Sequence, residues 1–103
     1  MNFDTFLRRF MQTHSGTDKV SLVKKYICYA ITFSELCRIL HNVAHESDKV
    51  EIVKHCVCFM PPRQISLWLQ GAIKICNEVL HGSDKVACIE AMAPIAMFVD
   101  FFN

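Results

Sequence analysis

The sequence predicts an all-α domain of six helices, arranged as three helix–turn–helix repeats in a short solenoid or a compact bundle. Three observations predict it. The tetrapeptide Ser/Thr-Asp-Lys-Val occurs three times, as Thr17-Asp18-Lys19-Val20, Ser47-Asp48-Lys49-Val50 and Ser83-Asp84-Lys85-Val86. Apolar residues flanking each copy recur at i, i+3, i+4 and i+7, the stripe of an amphipathic helix, without strand-like alternation. The aspartates stand at 18, 48 and 84, so the copies are spaced by 30 and then 36 residues, typical of two-helix repeat units.

The first helix is expected over 3–14, with Phe3, Phe6, Leu7 and Phe10 on one stripe, and the second over 18–30. A shift of 30 residues places Phe33, Leu36, Cys37 and Leu40 on those four positions, which predicts a third helix over 33–44. The same shift matches Leu22, Val23, Lys24 and Ile27 with Ile52, Val53, Lys54 and Val57, and a fourth helix follows over 48–60. A further shift of 36 carries the pattern to Ala72, Ile73 and Cys76, then to Cys88, Ile89 and Ala93, giving helices over 63–80 and 84–101. The chain is thus expected to be one domain with repeats at about 1–30, 31–62 and 63–103. Pro61-Pro62 breaks the chain between the second and third repeats, because proline cannot continue a helix. Ile31-Thr32 makes the shorter join before it, with Thr32 or Ser34 as its cap. Pro94 is expected to kink the last helix or split it.

The tetrapeptide itself reads as a helix start. Thr17, Ser47 and Ser83 are expected to cap the second helix of each repeat, with Asp18, Asp48 and Asp84 in the first turn favoured by the helix dipole. If Asp48 is instead the cap, Glu51 completes a capping box. Each lysine then faces solvent and each valine opens the buried stripe. His45 and His81 are expected at the C-terminal ends of the preceding helices.

Composition narrows the function classes. Lys and Arg number 11 against 10 Asp and Glu, for a net charge of +1, so no basic surplus suits nucleic acid. Hydrophobic residues make up 52%, slightly above the usual soluble range of about 45–50%, which suggests a dry interface in addition to the core. No stretch reaches the roughly 18–20 apolar residues of a membrane span, and no secretory signal is visible. Six cysteines in a helical chain of this kind are expected as free thiols in a cytoplasmic protein.

The segment Thr32-Phe33-Ser34-Glu35-Leu36-Cys37-Arg38-Ile39-Leu40, followed by His45-Glu46-Ser47-Asp48-Lys49-Val50 and Val53-Lys54, resembles an all-helical family of animal and bacterial proteins known only as a domain of unknown function. In that family short helical hairpins repeat a Phe-x-Ser-Asp-Lys-Leu…Ala-Lys pattern after a Thr-x-x-Gln-Val-x-x-Ile-Met helix. The resemblance covers most of the chain in three units. It implies a compact helical repeat fold and no assigned chemistry.

No catalytic constellation accompanies the thiols, so no enzyme activity and no cofactor are expected. In His55-Cys56-Val57-Cys58 the two cysteines are two residues apart on a helix and point about 200° away from each other, so they cannot share an ion. Cys37 and His41, four apart, share a helix face, and with His55 they form the alternative site of a metal- or redox-responsive regulator. The leading expectation is a protein-interaction or adaptor module that self-associates as a homo-oligomer through an apolar face. Its candidate anchors are Phe3 and Phe6 at one end, Trp68 and Leu69 on the longest first-type helix, and Phe98, Phe101 and Phe102 at the tail.

Overall fold

The computed structural model contains α1 (Phe3–Gln12), α2 (Gly16–Tyr26), α3 (Phe33–Leu40), α4 (Glu46–Cys56), α5 (Ile65–Glu78) and α6 (Gly82–Phe102), with a 3₁₀ turn at Val57–Phe59 after α4. It describes residues 2–60, 65–79 and 81–102, and side chains among these except at 65–68 and 94–102. The expected break at Pro61-Pro62 lies outside the described residues, as do the side chains of Trp68, Phe98, Phe101 and Phe102. Six helices form where the period of the apolar residues places them. The last runs through Pro94 as one element and is not split into two.

Local chemistry sets the helix starts. The Asn2 side chain accepts from Thr5 N at 2.8 Å and opens α1. Thr32 caps α3 in a full capping box: its hydroxyl accepts from Glu35 N at 3.1 Å, and Glu35 Oε1 accepts from Thr32 N at 3.0 Å. The second helix of each hairpin begins earlier than the tetrapeptide suggests. Ser15 caps α2, accepting from Asp18 N, and His45 holds the same place before α4 without a side-chain cap bond. His81 stands there before α6, where its carbonyl accepts from Lys85 N at 2.9 Å.

The expected caps are therefore corrected. Residues 16, 46 and 82 are already helical, so Thr17, Ser47 and Ser83 fall inside the first turn, with Asp18, Asp48 and Asp84 one residue further in. The acid-at-the-N-terminus argument survives this shift. The capping box expected of Asp48 and Glu51 does not, since both lie inside α4. His45 and His81 open the helices that follow them and do not close the ones before.

The helices pack as neighbours. α1 lies on α2, α3 on α4 and α5 on α6; α3 also packs between α1 and α5, and α4 between α2 and α6. Among the described residues α1 and α2 make no packing contact with α5 or α6. The Cα atoms fill a slab of 40 × 32 × 17 Å, thin enough for two helical layers. Phe6, Phe10, Leu36, Leu40, Ile39, Ile75, Val23 and Val53 are buried between the layers and between successive hairpins. The described core contains no buried polar side chain. Between the second and third helices, Ile31 N donates to Phe59 O at 3.4 Å and ties the join to the end of the next hairpin.

Two lysines of the tetrapeptide tie each hairpin to the next. Lys19 Nζ donates to the carbonyl of Asn42 at 2.5 Å, just past the end of α3, and Lys49 Nζ donates to the carbonyl of Glu78 at 2.7 Å, the last residue of α5. The lysines are 30 residues apart and their acceptors 36, as the sequence register requires. Each ammonium meets the negative end of a helix dipole and an orphan carbonyl together. The expected solvated lysine is thus a bridge at these two positions. The ammonium of Lys85, the third, has no hydrogen-bond or ion-pair partner among the described residues.

A second tight contact lies between α3 and α5, where the Phe33 ring sits against the backbone of Gly71 and leaves no room for a Cβ. Gly71→Ala should therefore destabilise the protein in chemical denaturation. The clash, of the order of 1–3 kcal/mol, outweighs the ~1 kcal/mol that alanine gains in a helix interior. Lys49→Met should cost about 1.5–3 kcal/mol as a charged hydrogen bond is lost, whereas Lys85→Met should change stability by less than about 0.5 kcal/mol. Equal effects at the two lysines would show that the bridge carries no stability.

Candidate interaction surface at the α5–α6 end

The two ends of the bundle differ in what they leave uncovered. Leu69 and Ile73 on α5 and Val86 and Ile89 on α6 are 48%, 61%, 53% and 51% exposed. Their counterparts in the first two hairpins are covered wholly or in part. Leu7, Val23, Val50 and Val53 are buried, while Phe3, Phe33, Cys37 and Val20 are partly buried and packed on the core. The next hairpin supplies that cover, and beyond α5 and α6 no described helix does so. Lys85 stands beside Val86, at the position from which Lys19 and Lys49 reach forward. The end therefore repeats, uncovered, the surface that forms each internal junction.

The opposite end is built differently. Ile39 and Ile75, both fully buried, correspond to an exposed Arg9, and the buried Cys56 and Met92 correspond to Tyr26. Arg9 Nη1 donates to Tyr26 Oη at 2.9 Å, and its guanidinium lies 5.5 Å from the ring centroid. Lys25 Nζ approaches the same ring at 5.4 Å. The apolar end expected from Phe3, Phe6 and Phe10 is corrected: Phe6 is 1% exposed, Phe10 is fully buried and Phe3 is partly covered. Phe6 belongs to the core between α1 and α2 and cannot meet a partner without unfolding. Of the expected anchors whose side chains are described, Leu69 is the one that lies open to solvent.

Ile73, Lys85, Val86 and Ile89 were not singled out as contact residues by the sequence reading. A signal for them exists. They occupy the register positions whose counterparts in the first two units are covered wholly or in part.

The alternative metal ligands are not brought together. His41 Nδ1–H donates to Glu78 Oε1 at 3.4 Å, whereas His55 Nε2–H donates to the Ile27 carbonyl at 2.9 Å on the other layer. Cys37 and His41 do share a face, on an open groove of about 450 Å³ that crosses α1, α3 and α5 and is also lined by Leu7, Met11, Lys74 and Glu78. The described side chains that bring three ligand atoms within 4.8 Å of one another are Glu46, His81 and Asp84. There Glu46 Oε2 accepts from both His81 N at 3.0 Å and His81 Nδ1 at 2.6 Å, an arrangement that pins the start of α6 to the start of α4.

The six cysteines are all free thiols. Burial pushes the Cys56 thiol up to about 12 and that of Cys88 to about 11, with Cys58 and Cys76 respectively adding to the shift. Cys37 is raised by burial and then by the charge of Glu78. Protonated thiols are poor nucleophiles, so these three pack as small hydrophobes. Cys28 and Cys58 are exposed, with their sulfurs against helix-end carbonyls of Lys24, Lys25 and Lys54.

Comparison with protein-family models, curated proteins and solved structures gives no match. No described helix is long and apolar enough to cross a membrane.

Under native conditions at pH 8, a thiol reagent should modify Cys28 and Cys58 quickly and Cys56 and Cys88 only after unfolding, as peptide mapping would show. The buried pair hold their protons more tightly folded than unfolded. Stability should thus be level below about pH 9 and fall as pH rises from there towards 11 and 12. Fast native labelling of Cys56 would contradict the packing.

Proposed function

We propose that the chain is a non-enzymatic protein-interaction module, built as three stacked helical hairpins, that engages a protein partner through the α5–α6 end. One observation carries this reading: Leu69, Ile73, Val86 and Ile89 keep the apolar character of junction residues where no described helix covers them. Recurrent lysine bridges and neighbour-only packing support the repeat organisation. The alternative site of Cys37, His41 and His55 is disfavoured because His55 is held on the Ile27 carbonyl in the other layer.

Metal binding has one observation in its favour, the Glu46–His81–Asp84 group. Its His81 Nδ1 already gives its proton to Glu46, and the carboxylate already accepts twice, so an ion would have to displace a structural link. The interaction reading requires no such displacement.

A photo-crosslinking residue placed at position 73 or 89 should capture a discrete protein partner in cells, whereas the same residue at Arg8 or Lys24 should not. Ile73→Glu with Ile89→Glu should abolish partner binding and leave the circular dichroism melt within a few degrees of the parent. Unfolding of that variant, or equal capture from all four positions, would remove the reading.

A further inference from the structure

Given that open end, we propose that its occupant is a helical hairpin of the same class presented by a different protein, and that a second copy of this chain cannot take that place through its own free end. Both internal junctions show what the surface accepts. On the receiving side stand a fully buried isoleucine (Ile39, then Ile75) and a helix-end carbonyl that takes the lysine ammonium (Asn42, then Glu78). The giving side is present a third time: Ile73 and Ile89 are exposed, and the Lys85 ammonium has no hydrogen-bond or ion-pair partner among the described residues. The matching partner therefore carries an aliphatic residue at the Ile39 position and ends its first helix over Lys85.

This chain does not offer that receiving side at its α1–α2 end. Arg9 replaces the isoleucine and is held on Tyr26. Stacking a second copy there would strip water from a guanidinium already committed to Tyr26, an unfavourable step. Nor does α6 turn back to cover the end. It runs ten residues past Met92, the position matching the ends of α2 and α4, and carries the chain about 15 Å onward. The two ends are thus unlike: the α5–α6 end keeps the giving side of a junction and the α1–α2 end lacks the buried isoleucine of the receiving side.

The two ends can be tested apart. Arg9→Ile with Tyr26→Met should give the α1–α2 end the residues of the third hairpin, and Ile73→Glu with Ile89→Glu should close the other end. A chain with all four substitutions offers only a receiving side. Mixed with the wild type at high micromolar concentration, it should form a 1:1 complex in sedimentation velocity, while each protein alone stays monomeric. Ile89→Glu in the wild-type member should weaken that complex by more than about tenfold. If the fourfold variant does not fold by circular dichroism, Arg9→Ile with Ile73→Glu serves as the receiving chain. No complex between two folded chains would overturn the hairpin as occupant, and the open-end reading would survive if crosslinking at 73 and 89 persists. Dimerisation of the wild type alone that Ile73→Glu and Ile89→Glu abolish would identify a second copy, joined face to face, as the occupant and overturn the proposal.

Discussion

Helical hairpins of this size cannot bury their apolar faces alone, and the ammonium groups of Lys19 and Lys49 fix how successive hairpins meet. Each reaches from the first turn of one hairpin's second helix to the last carbonyl region of the next hairpin's first helix. A sliding displacement of one hairpin along its neighbour would break this bond and leave both a carbonyl and a largely buried ammonium unpaired, which costs far more than the bond contributes. Apolar packing supplies most of the attraction but is tolerant of register. The lysines are not. They align the layers so that Phe33 falls on Gly71, where any side chain would collide, and so that Ile39 and Ile75 are sealed. The starts of the second helices are aligned by the same spacing, with Glu46 under His81 and the Asp48 carboxylate against Gly16.

Such a junction has two unlike sides, so a stack built from it has two unlike ends. One is water-compatible: Arg9 and Tyr26 form a hydrogen-bonded pair at positions whose counterparts are isoleucine and a soft, sulfur-bearing side chain. Terminal repeats with polar outer faces keep stacked architectures from assembling indefinitely. The other end carries no such change. Its four aliphatic residues and Lys85 retain junction chemistry, which makes it a surface of a particular shape and polarity rather than a generic apolar patch.

Much of the fold was legible because the apolar residues keep a 3.6-residue period and the tetrapeptide keeps its register. All six helices form within a few residues of their expected places. Periodicity identifies a buried stripe but not the neighbour that buries it, so the pattern that makes Phe6 a candidate anchor equally fits the core residue it is. The caps were misplaced because Ser/Thr-Asp fits both a cap with its first-turn acid and two successive first-turn residues. Ser15, two residues upstream, decides between them by where its hydroxyl reaches. The lysine bridges were invisible for a different reason. Their acceptors are main-chain carbonyls, and a carbonyl's position has no residue signature. Cys37 and His41 did share a face, but His55 serves the Ile27 carbonyl on the opposite layer, a pairing that depends on tertiary packing alone.

The size of the open end sets what kind of binding it can support. Burying a fully exposed aliphatic side chain is worth roughly 1.5–3 kcal/mol, so four that are about half exposed offer some 3–6 kcal/mol together. Micromolar affinity needs about 8 kcal/mol net, after the cost of lost translational and rotational freedom. The aliphatic cluster alone therefore falls short. A charged bond from Lys85 to a helix-end carbonyl adds direction and a modest gain, and it is available only to a partner that ends a helix at the right place. A stable complex must also cover surface beyond the cluster. Weak binding would follow for a partner that meets only the four aliphatic residues, and tighter binding for one that also satisfies the lysine and covers the surface around the cluster.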